Sequence, residues 1–560
     1  MPGHATVMAV ILVLLLKLVD FRHQSCTALV IPPARPLLQA NPRSTNSQWK
    51  KTNEHKSYTQ SYLFMNFRED MLSQELDGAE AELGVEKTTI ANSDADNDAT
   101  TAEGSSSSRP MKTTDACAII TGTAVGGGFL AIPSLTSPIG WLPTALGLTL
   151  AYGFLVLSAI AFTEAAGLAD EDKRRIRQDM SKTGSKVDAN VGGTSVASVI
   201  RHAFGKKWAV VAGLGFLAQM VAVMTAQVVK GAEILSFMTG LNYRLSCIVP
   251  VVITALFVFS AKPEVVERTN LILTTIMIGG FATLIASASR QPGTVAGLLQ
   301  RAEWMRLLPN TKVAFAMPIF VKLLAFGEAV PLTVERMVLG HGKSSAEQPG
   351  ALAEGLSSNT EDARTAGFRR VRKATILGAF IPLILAIIWA GISAALIDPS
   401  NPNPIYSLLS NFGPGISIPV LLLSGGAIGT TLLGSFLAMG HFANDMICSK
   451  FGYCSLRWMS IANILSVAVP CTLACIGPSL YIPLLAFAGA YPTTLLYGLA
   501  PSLAAITLRR RVNKANALKG ISATTPQLVP GGERTLQALA LSALGLVGAS
   551  TALALRQLLI

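Results

Sequence analysis

The chain has 560 residues, of which 50% are hydrophobic and 14% are charged, and its mean hydropathy is +0.47. This composition excludes an ordinary soluble domain. The formal net charge is +12, but the basic residues lie in short segments beside apolar stretches, an arrangement that argues against nucleic-acid binding. Nearly uncharged stretches of about 20 residues indicate segments that cross a bilayer.

The composition of the N-terminal region is typical of a targeting sequence and not of a folded domain. An apolar run from Val7 to Leu16 ends at Lys17 and has the length of a signal-peptide core. The following residues, up to 68, are basic and rich in Ser and Thr, as organelle transit peptides are. We therefore expect residues 1–68 to be a two-part presequence that routes the chain to a plastid inner envelope. A secretory signal leading to the secretory pathway or plasma membrane is the alternative.

Residues 69–114 are acidic and rich in Ser, Thr and Asn, and this composition predicts a disordered linker. The transmembrane domain is then expected over residues 115–560. Within it, the loop 339–370 is polar and rich in small residues, and we expect it to be a disordered insert. The seven cysteines have no CxxC spacing, so the sequence predicts neither a disulfide framework nor a metal centre, and no cofactor.

Apolar length and periodicity predict eleven transmembrane helices. They cover residues 116–138, 140–168, 208–238, 245–261, 269–289, 311–338, 374–397, 416–447, 457–475, 478–507 and 535–558. Lys and Arg accumulate in the loops on the side of the N-terminal tail, which the positive-inside rule places in the cytosol or stroma. The basic residues of the opposite side are Arg244, Arg290, Arg301, Arg306 and Lys312.

The first predicted span contains three consecutive glycines, Gly126, Gly127 and Gly128, in the stretch "TGTAVGGGFLAIP". A lone glycine in a membrane helix usually serves close packing. Three glycines followed by Pro133 predict a local unwinding, which is tolerated at membrane depth where the backbone lines a polar cavity.

The sixth predicted span repeats the pattern, with Gly327 and Glu328 just before Pro331. The two breaks begin two halves of five spans each, residues 115–290 and 310–508, followed by an extra helix at 535–558. An odd number of spans inverts the second half relative to the first, an arrangement found in secondary transporters.

The glycine-rich segment also carries a resemblance. The stretch "GTAVGGGFLAIP" followed by "GWLPT", and a second span that ends at Glu164, resemble the opening of the tryptophan/tyrosine permease family of aromatic amino-acid transporters. The similarity continues over residues 115–558 through "GAEIL", "FANDM" and "AFAGAYPTTLLYGLAPSL". It implies an all-α polytopic membrane protein with the LeuT-type inverted repeat of the amino-acid/polyamine transporter group, an amino-acid substrate and cation coupling.

A zwitterionic substrate needs donors for its carboxylate and acceptors for its ammonium group. The amides of residues 126–128 begin a half-helix, where the helix dipole favours an anion. The expected acceptors are unwound carbonyl groups at Ala325, Phe326 and Gly327. We expect Gln227 and the Phe326 ring to contact the substrate side chain, although core packing is the alternative for Phe326.

Glu328 is a carboxylate at membrane depth and therefore marks a functional site. We expect it to carry a proton or to meet an ammonium group; a structural role in a water-filled vestibule is the alternative. The resemblance further implies a site for the coupling ion, H⁺ or Na⁺, beside the hydroxyl groups of Thr430, Thr431 and Ser435. Such hydroxyls alternatively bond the carbonyl group four residues earlier. Bacterial members of the family have a histidine in this break and this chain does not.

The sequence therefore predicts a secondary active transporter of aromatic amino acids, tyrosine or tryptophan, whose partners are the lipid bilayer and this small molecule, and not an enzyme. Two alternative functions would require different features of the sequence. A channel or transport-inactive sensor would share the fold. A polytopic membrane enzyme would need a cluster of His, Asp or Cys near one membrane face, which the sequence does not supply.

Overall fold

A computed structural model of the chain describes residues 111–182, 195–261, 263–290, 311–339, 357–396, 404–410, 413–451, 456–518 and 527–559. The regular structure in these residues is helical. The helices are α1 (Thr113–Ala124), α2 (Ile132–Ile139), α3 (Trp141–Lys182), α4 (Val196–Phe204), α5 (Lys206–Thr239), α6 (Tyr243–Ser260), α7 (Pro263–Ser289), α8 (Thr311–Leu323), α9 (Val330–Val334), α10 (Ser357–Leu396), α11 (Pro404–Ser410), α12 (Pro414–Phe451), α13 (Leu456–Ala474), α14 (Tyr481–Ala488), α15 (Ala500–Leu518) and α16 (Gly532–Leu559).

Tighter or wider helical turns join several of these helices. A 3-10 turn, Gly127–Ala131, precedes α2, and a π-helical turn, Glu335–Leu339, follows α9. Two π-helical turns, Gly489–Thr493 and Leu495–Leu499, join α14 to α15. The bundle comprises described residues of Met111–Ser260 and Asn270–Ile560, while the described part of Ala261–Thr269, which begins α7, forms a separate unit.

Helices occur at each of the eleven positions predicted to cross the membrane. Among the described residues, eight helices are long and apolar enough to do so, and the bent pair Thr113–Ala124 and Gly127–Ile139 makes a ninth. The sixth and ninth positions hold the shorter apolar helices Val313–Leu323 and Asn463–Ala474. The prediction of an all-helical membrane protein is therefore confirmed, and the count of eleven spans stays a prediction.

Three helix boundaries differ from the sequence prediction by more than ten residues: the end of α3, the start of α10, and the end of α15, which reaches Leu518 although the tenth span was predicted to end at residue 507. The second helix was expected to end at residue 168 but continues to Lys182, where polar residues form pairs one turn apart, such as Asp170 with Arg174 at 3.0 Å. α10 begins at Ser357, inside the insert predicted to be disordered, so that prediction does not hold from Ser357 onward. The helix extends there because Phe368 is buried and its ring packs on Gly167 of α3. Residues 340–356 of the insert, the presequence and the linker up to residue 110 lie outside the described residues.

The helices of the two predicted halves pack in equivalent pairs. The first span contacts the seventh through α1 and α10, and the sixth contacts the second through α8 and α3. In the same way α5 packs on α6 in the first half, and α12 packs on α13 in the second. Replacing each span by its counterpart five positions away in the other half converts one contact into the other, so the packing follows the five-plus-five repeat.

Small residues allow these helices to approach closely. A side chain on Gly378 of α10 would lie 2.9 Å from the carbonyl oxygen of Cys117 on α1. The hydroxyl group of Thr121 donates to the carbonyl oxygen of Gly378 at 2.8 Å. Contacts of this kind stabilise helix pairs where lipid removes the hydrophobic driving force for association.

A buried ion pair joins α3 to α15. Glu164 and Arg509 pair through both carboxylate oxygens, and their side chains are 2% and 7% exposed. One of these bonds, from Nη2 of Arg509 to Oε2 of Glu164, measures 2.7 Å. The same Oε2 accepts the backbone amides of Leu528 and Val529 at 3.0 and 3.1 Å. The carboxylate is therefore fully hydrogen-bonded, as a buried charge must be.

Replacing Arg509 with Ala should lower the free energy of unfolding by about 3 to 5 kcal/mol, because the charge of Glu164 stays buried without a partner. The adjacent Arg510 is the matched control. It pairs with Glu533 at the surface, where the two side chains are 67% and 41% exposed, so Arg510→Ala should change stability by less than about 1 kcal/mol. Thermal unfolding in detergent measures both. Equal effects of the two substitutions would contradict a structural role for the buried pair.

Candidate substrate and ion site

The first break lies where the glycines predicted it. α1 ends at Ala124, Val125 and Gly126 are extended, and a 3-10 turn begins at Gly127. The helical segments on the two sides of the break are bent by 41°. Because the backbone leaves the α-helical conformation here, its amide and carbonyl groups are released from the usual pattern of bonds.

These released groups have specific partners. The amide of Gly127 donates to Oγ1 of Thr431 at 3.2 Å, and its carbonyl oxygen accepts the hydroxyl of Tyr481 at 3.0 Å. The carbonyl oxygen of Gly126 accepts the amide of Phe129 at 3.0 Å. Within the part of the chain that the structure describes, the amides of Gly126 and Gly128 have no acceptor. Two free donors therefore lie at the start of a helical segment.

The second break separates α8, which ends at Leu323, from α9, which begins at Val330. The carbonyl oxygen of Phe326 accepts the amide of Ala329 at 2.9 Å. Among the described residues, no donor reaches the carbonyl oxygens of Ala325 and Gly327. Two of the three expected acceptors are thus free, and the third is used by the turn.

Proline explains part of both patterns, because it has no amide hydrogen for the carbonyl group four residues earlier. Pro331 leaves the carbonyl oxygen of Gly327 unpaired. Pro133 likewise leaves the carbonyl oxygen of Phe129, which instead accepts the indole N–H of the fully buried Trp389 at 2.9 Å.

Each break faces a buried glutamine of α5. Gln227 is 1% exposed, its Oε1 has no hydrogen-bond partner, and it lies against Gly127, where a Cβ atom would overlap it. Gln219 is fully buried and donates through Nε2 to Oε1 of Glu328 at 2.9 Å. Its own Oε1 has no partner. Gln227 was predicted to belong to the site and Gln219 was not, although Gln219 lies only eight residues earlier on the same helix.

Glu328 is exposed at the second break, and Lys322 on α8 is half-buried nearby. The two charges interact electrostatically without forming a direct ion pair. The Glu328 carboxylate therefore accepts a hydrogen bond from the Gln219 amide and also interacts with the Lys322 cation. This arrangement allows the carboxylate to exchange a proton or to meet a cationic group.

The three hydroxyl candidates on α12 have different surroundings. Thr430 donates to the carbonyl oxygen of Ala427 at 3.2 Å, a bond within its own helix. Thr431 donates to the same oxygen at 2.8 Å and also accepts the amide of Gly127. Ser435 is buried one turn further along the helix. Of the three, Thr431 is the one that contacts the first break.

Removing the Thr431 hydroxyl should leave the amide of Gly127 unpaired. We expect Thr431→Val to lower the free energy of unfolding by about 1 to 3 kcal/mol and to slow substrate uptake. Thr431→Ser retains the hydroxyl group and should leave both stability and uptake unchanged. Thr472→Val is the matched control, because the exposed Thr472 hydroxyl bonds only carbonyl groups of its own helix. Thermal unfolding and uptake by reconstituted protein measure these effects. Wild-type stability of Thr431→Val would contradict a stabilising role for this contact.

Phe326 and Gln227, which were expected to contact the same substrate side chain, have different surroundings. Phe326 is 1% exposed and lines a small cavity with Phe162, Gly327 and Tyr497, whereas Gln227 lies at the first break. A Cβ atom on Gly327 would overlap the Tyr497 ring. Phe326 thus has the surroundings of a core residue, which was the alternative for it.

Two further polar residues, neither of them predicted to belong to the site, lie near the first break. Nζ of Lys230 lies 2.8 Å from Oε2 of Glu233 in a buried ion pair. It also lies 5.5 Å from the ring centroid of Tyr481, whose hydroxyl reaches the carbonyl oxygen of Gly127. The sequence contains a signal for this ion pair, because a lysine and a glutamate within an apolar span must be paired at membrane depth.

A cavity of about 460 Å³ opens beyond this ion pair, at the C-terminal end of α5, and we call it the vestibule. Its walls come from α5, the α5–α6 turn, the start of α6, α11 and the segment after α13. They comprise Glu233, Ser236, Asn242, Tyr243, Arg244, Tyr406, Cys475, Ile476, Gly477 and Pro478.

Two interrupted helices in equivalent places of two helical halves, with free backbone groups facing buried polar side chains, define the class of secondary transporters. The comparison of sequences identifies the family. Residues 110–337 match the model of the tryptophan/tyrosine permease family, and this match confirms the predicted resemblance. The prediction of a membrane transporter, rather than a membrane enzyme, is supported by the same match.

No curated protein shows significant sequence similarity to the chain. Among solved structures, similar chains include Mhp1, a nucleobase-cation-symport-1 family transporter, in a closed conformation with bromovinylhydantoin bound (16% identity, 80% of this chain and 91% of that chain, TM-score 0.42). Mhp1 in an inward-facing conformation is 18% identical, and the match covers 81% of this chain and 95% of that chain with a TM-score of 0.40. A manganese transporter of Eremococcus coleocola is 10% identical, and the match covers 79% of this chain and 94% of that chain with a TM-score of 0.44.

Proposed function

We propose that the chain is a secondary active transporter that moves an aromatic amino acid, tyrosine or tryptophan, across its membrane by alternating access coupled to H⁺ or Na⁺. The observation that carries this proposal is the pair of breaks. Free amides at Gly126 and Gly128 supply donors, and free carbonyl oxygens at Ala325 and Gly327 supply acceptors.

These groups fit the two ends of an amino acid. Backbone amides at the start of a helical segment favour a carboxylate, and unpaired carbonyl oxygens accept from an ammonium group. The unpaired Oε1 of Gln227 lies against the first break and offers one more acceptor. Because a buried polar atom without a partner is costly, a bound substrate would satisfy groups that the protein leaves open.

Coupling to a cation is supported by two features of the same region. Glu328 is a carboxylate within a break, with Gln219 as its hydrogen-bond partner, and can take up a proton. Thr431 joins α12 to the first break, with Ser435 one turn away. In this proposal Glu328 is the site for H⁺, and the hydroxyl groups of α12 together with nearby carbonyl oxygens form a site for Na⁺.

Uptake by the purified protein in liposomes tests the proposal. We expect accumulation of radiolabelled tryptophan or tyrosine when an inward H⁺ or Na⁺ gradient is imposed, and none when the gradient is collapsed by an ionophore. Liposomes that contain an equal amount of the Arg509→Ala variant show how far uptake falls when the fold is destabilised. Failure to accumulate any amino acid under either gradient would refute transport, and binding without accumulation would favour the sensor alternative.

We propose the plastid inner envelope as the location, on the basis of the two-part composition of residues 1–68. A fluorescent protein fused to residues 1–110 tests this proposal in plastid-containing cells. Fluorescence in the plastid supports it. Fluorescence in the secretory pathway or at the plasma membrane would contradict it.

A further inference from the structure

Three cysteines meet at the wall of the vestibule, and the proposed transport reaction uses none of them. Cys247 lies near the start of α6, Cys471 lies in the last turn of α13, and Cys475 follows that helix directly. The Sγ atom of Cys471 is 3.9 Å from the carbonyl oxygen of Cys247. The thiol of Cys475 interacts electrostatically with the thiols of both others. All three are free thiols.

The three thiols differ in their access to solvent. Cys475 is half-buried and lines the vestibule. Cys247 is fully buried and Cys471 is 9% exposed, so both lie behind Cys475. The hydroxyl of Tyr243 donates to the carbonyl oxygen of Ala474 at 3.1 Å and ties the start of α6 to the end of α13. One accessible thiol next to a shielded second thiol is the arrangement of a reversible redox site.

We propose that Cys247, Cys471 and Cys475 form an oxidisable thiol site in the vestibule wall, whose oxidised form is a disulfide between Cys475 and Cys247. The oxidant is hydrogen peroxide, which enters through the vestibule. The sulfur of Cys475 attacks one peroxide oxygen and becomes a sulfenic acid, with release of the first water. The sulfur of Cys247 then attacks the sulfenic sulfur, the S–O bond breaks and a second water leaves. Two thiols lose two electrons and two protons, and the peroxide is reduced to two waters.

Cys247 is the partner because it approaches Cys475 from another helix. Cys471 and Cys475 lie one turn apart, and the amide of Cys475 donates to the carbonyl oxygen of Cys471 at 3.1 Å. A bridge between these two would have to form within that single turn, whereas a bridge to Cys247 joins two elements that are already packed together. The disulfide would fasten α6 to the end of α13 and restrict movement of the vestibule wall.

Mass spectrometry of the full chain tests the site. The reduced protein in detergent is treated with hydrogen peroxide, alkylated and digested. We expect a peptide pair joined through Cys247 and Cys475 that has lost two hydrogens. Cys475→Ser should abolish it, with Cys475→Ala as a second variant if the serine form does not fold. Cys471→Ser should retain it, as should the matched control Cys117→Ser, which changes a half-buried thiol on α1 whose contact is with Ala374.

Two results would overturn the proposal: a bridge between Cys471 and Cys475, or oxidation of Cys475 to sulfinic acid with no bridge. The link to transport rests on the proposed function and has its own readout. Peroxide should slow uptake by the wild type, dithiothreitol should restore it, and Cys475→Ser should be insensitive to both. Because the mass measurement needs no uptake, failure of the thiol site and failure of the transport proposal are distinguishable.

Discussion

Glu328→Gln should strongly reduce gradient-driven accumulation of the amino acid and leave exchange of substrate across the membrane in the absence of a gradient. Glutamine matches the size of the side chain and can still bond Gln219, which donates to Glu328 at 2.9 Å in the wild type. It cannot take up a proton, so the free-energy coupling between ion and substrate is lost. Accumulation should fall by about tenfold or more, within the range of measured coupling between two sites.

The measurement is accumulation under an imposed proton gradient, compared with counterflow at equal pH on both sides. Glu533→Gln is the matched control, since it makes the same change in an exposed carboxylate of the last helix. Wild-type accumulation with an unchanged pH dependence in Glu328→Gln would show that Glu328 does not carry the proton. Loss of counterflow as well would assign Glu328 to substrate binding instead.

The breaks in the helices were predictable because their causes are local. Consecutive glycines weaken a helix, and a proline removes one of its bonds; both effects can be read within a few residues. The break at Gly126 and the free carbonyl of Gly327 before Pro331 follow directly from these rules. The equivalence of the two breaks was predictable too, because it depends only on counting apolar segments.

The partners of the breaks were not predictable to the same extent, because they depend on how helices rotate against each other. Thr431 meets Gly127 across 304 residues of sequence, and hydroxyl-bearing residues are common on α12. The resemblance to a known family selected three candidates there, and the structure places one of them on the break. The pairing of Glu328 with Gln219 had no local signal, since a buried glutamine in an apolar span could face any neighbour.

Hydropathy also misplaced the ends of several helices, because it detects the apolar part that crosses the membrane and not the whole helix. The extension of α3 to Lys182 carries polar residues that stabilise one another one turn apart. The start of α10 is buried against α3 through Phe368. The pairs on α3 could have been read from the sequence, whereas the burial of Phe368 required the fold.

Gly127→Ala should reduce substrate uptake by at least about tenfold, since displacing a single hydrogen bond to a charged group removes about 1.5 to 3 kcal/mol of binding free energy. A Cβ atom at this position would overlap Oε1 of Gln227. Either the glutamine or the first break must move, and both the amide bonded to Thr431 and the carbonyl bonded to Tyr481 belong to Gly127. The substitution therefore disturbs the free amides on both sides of it.

Two variants separate this overlap from a general effect of alanine in a helix. Gly153→Ala makes the same change in α3, where no atom lies within 4 Å of the new Cβ, so uptake should be unchanged and stability should rise by up to about 1 kcal/mol. In the double variant Gly127→Ala with Gln227→Ala, the overlap is removed. If the overlap causes the defect, the double variant transports no worse than Gln227→Ala alone. Additive losses would instead show that Gly127 is needed for the conformation of the break itself.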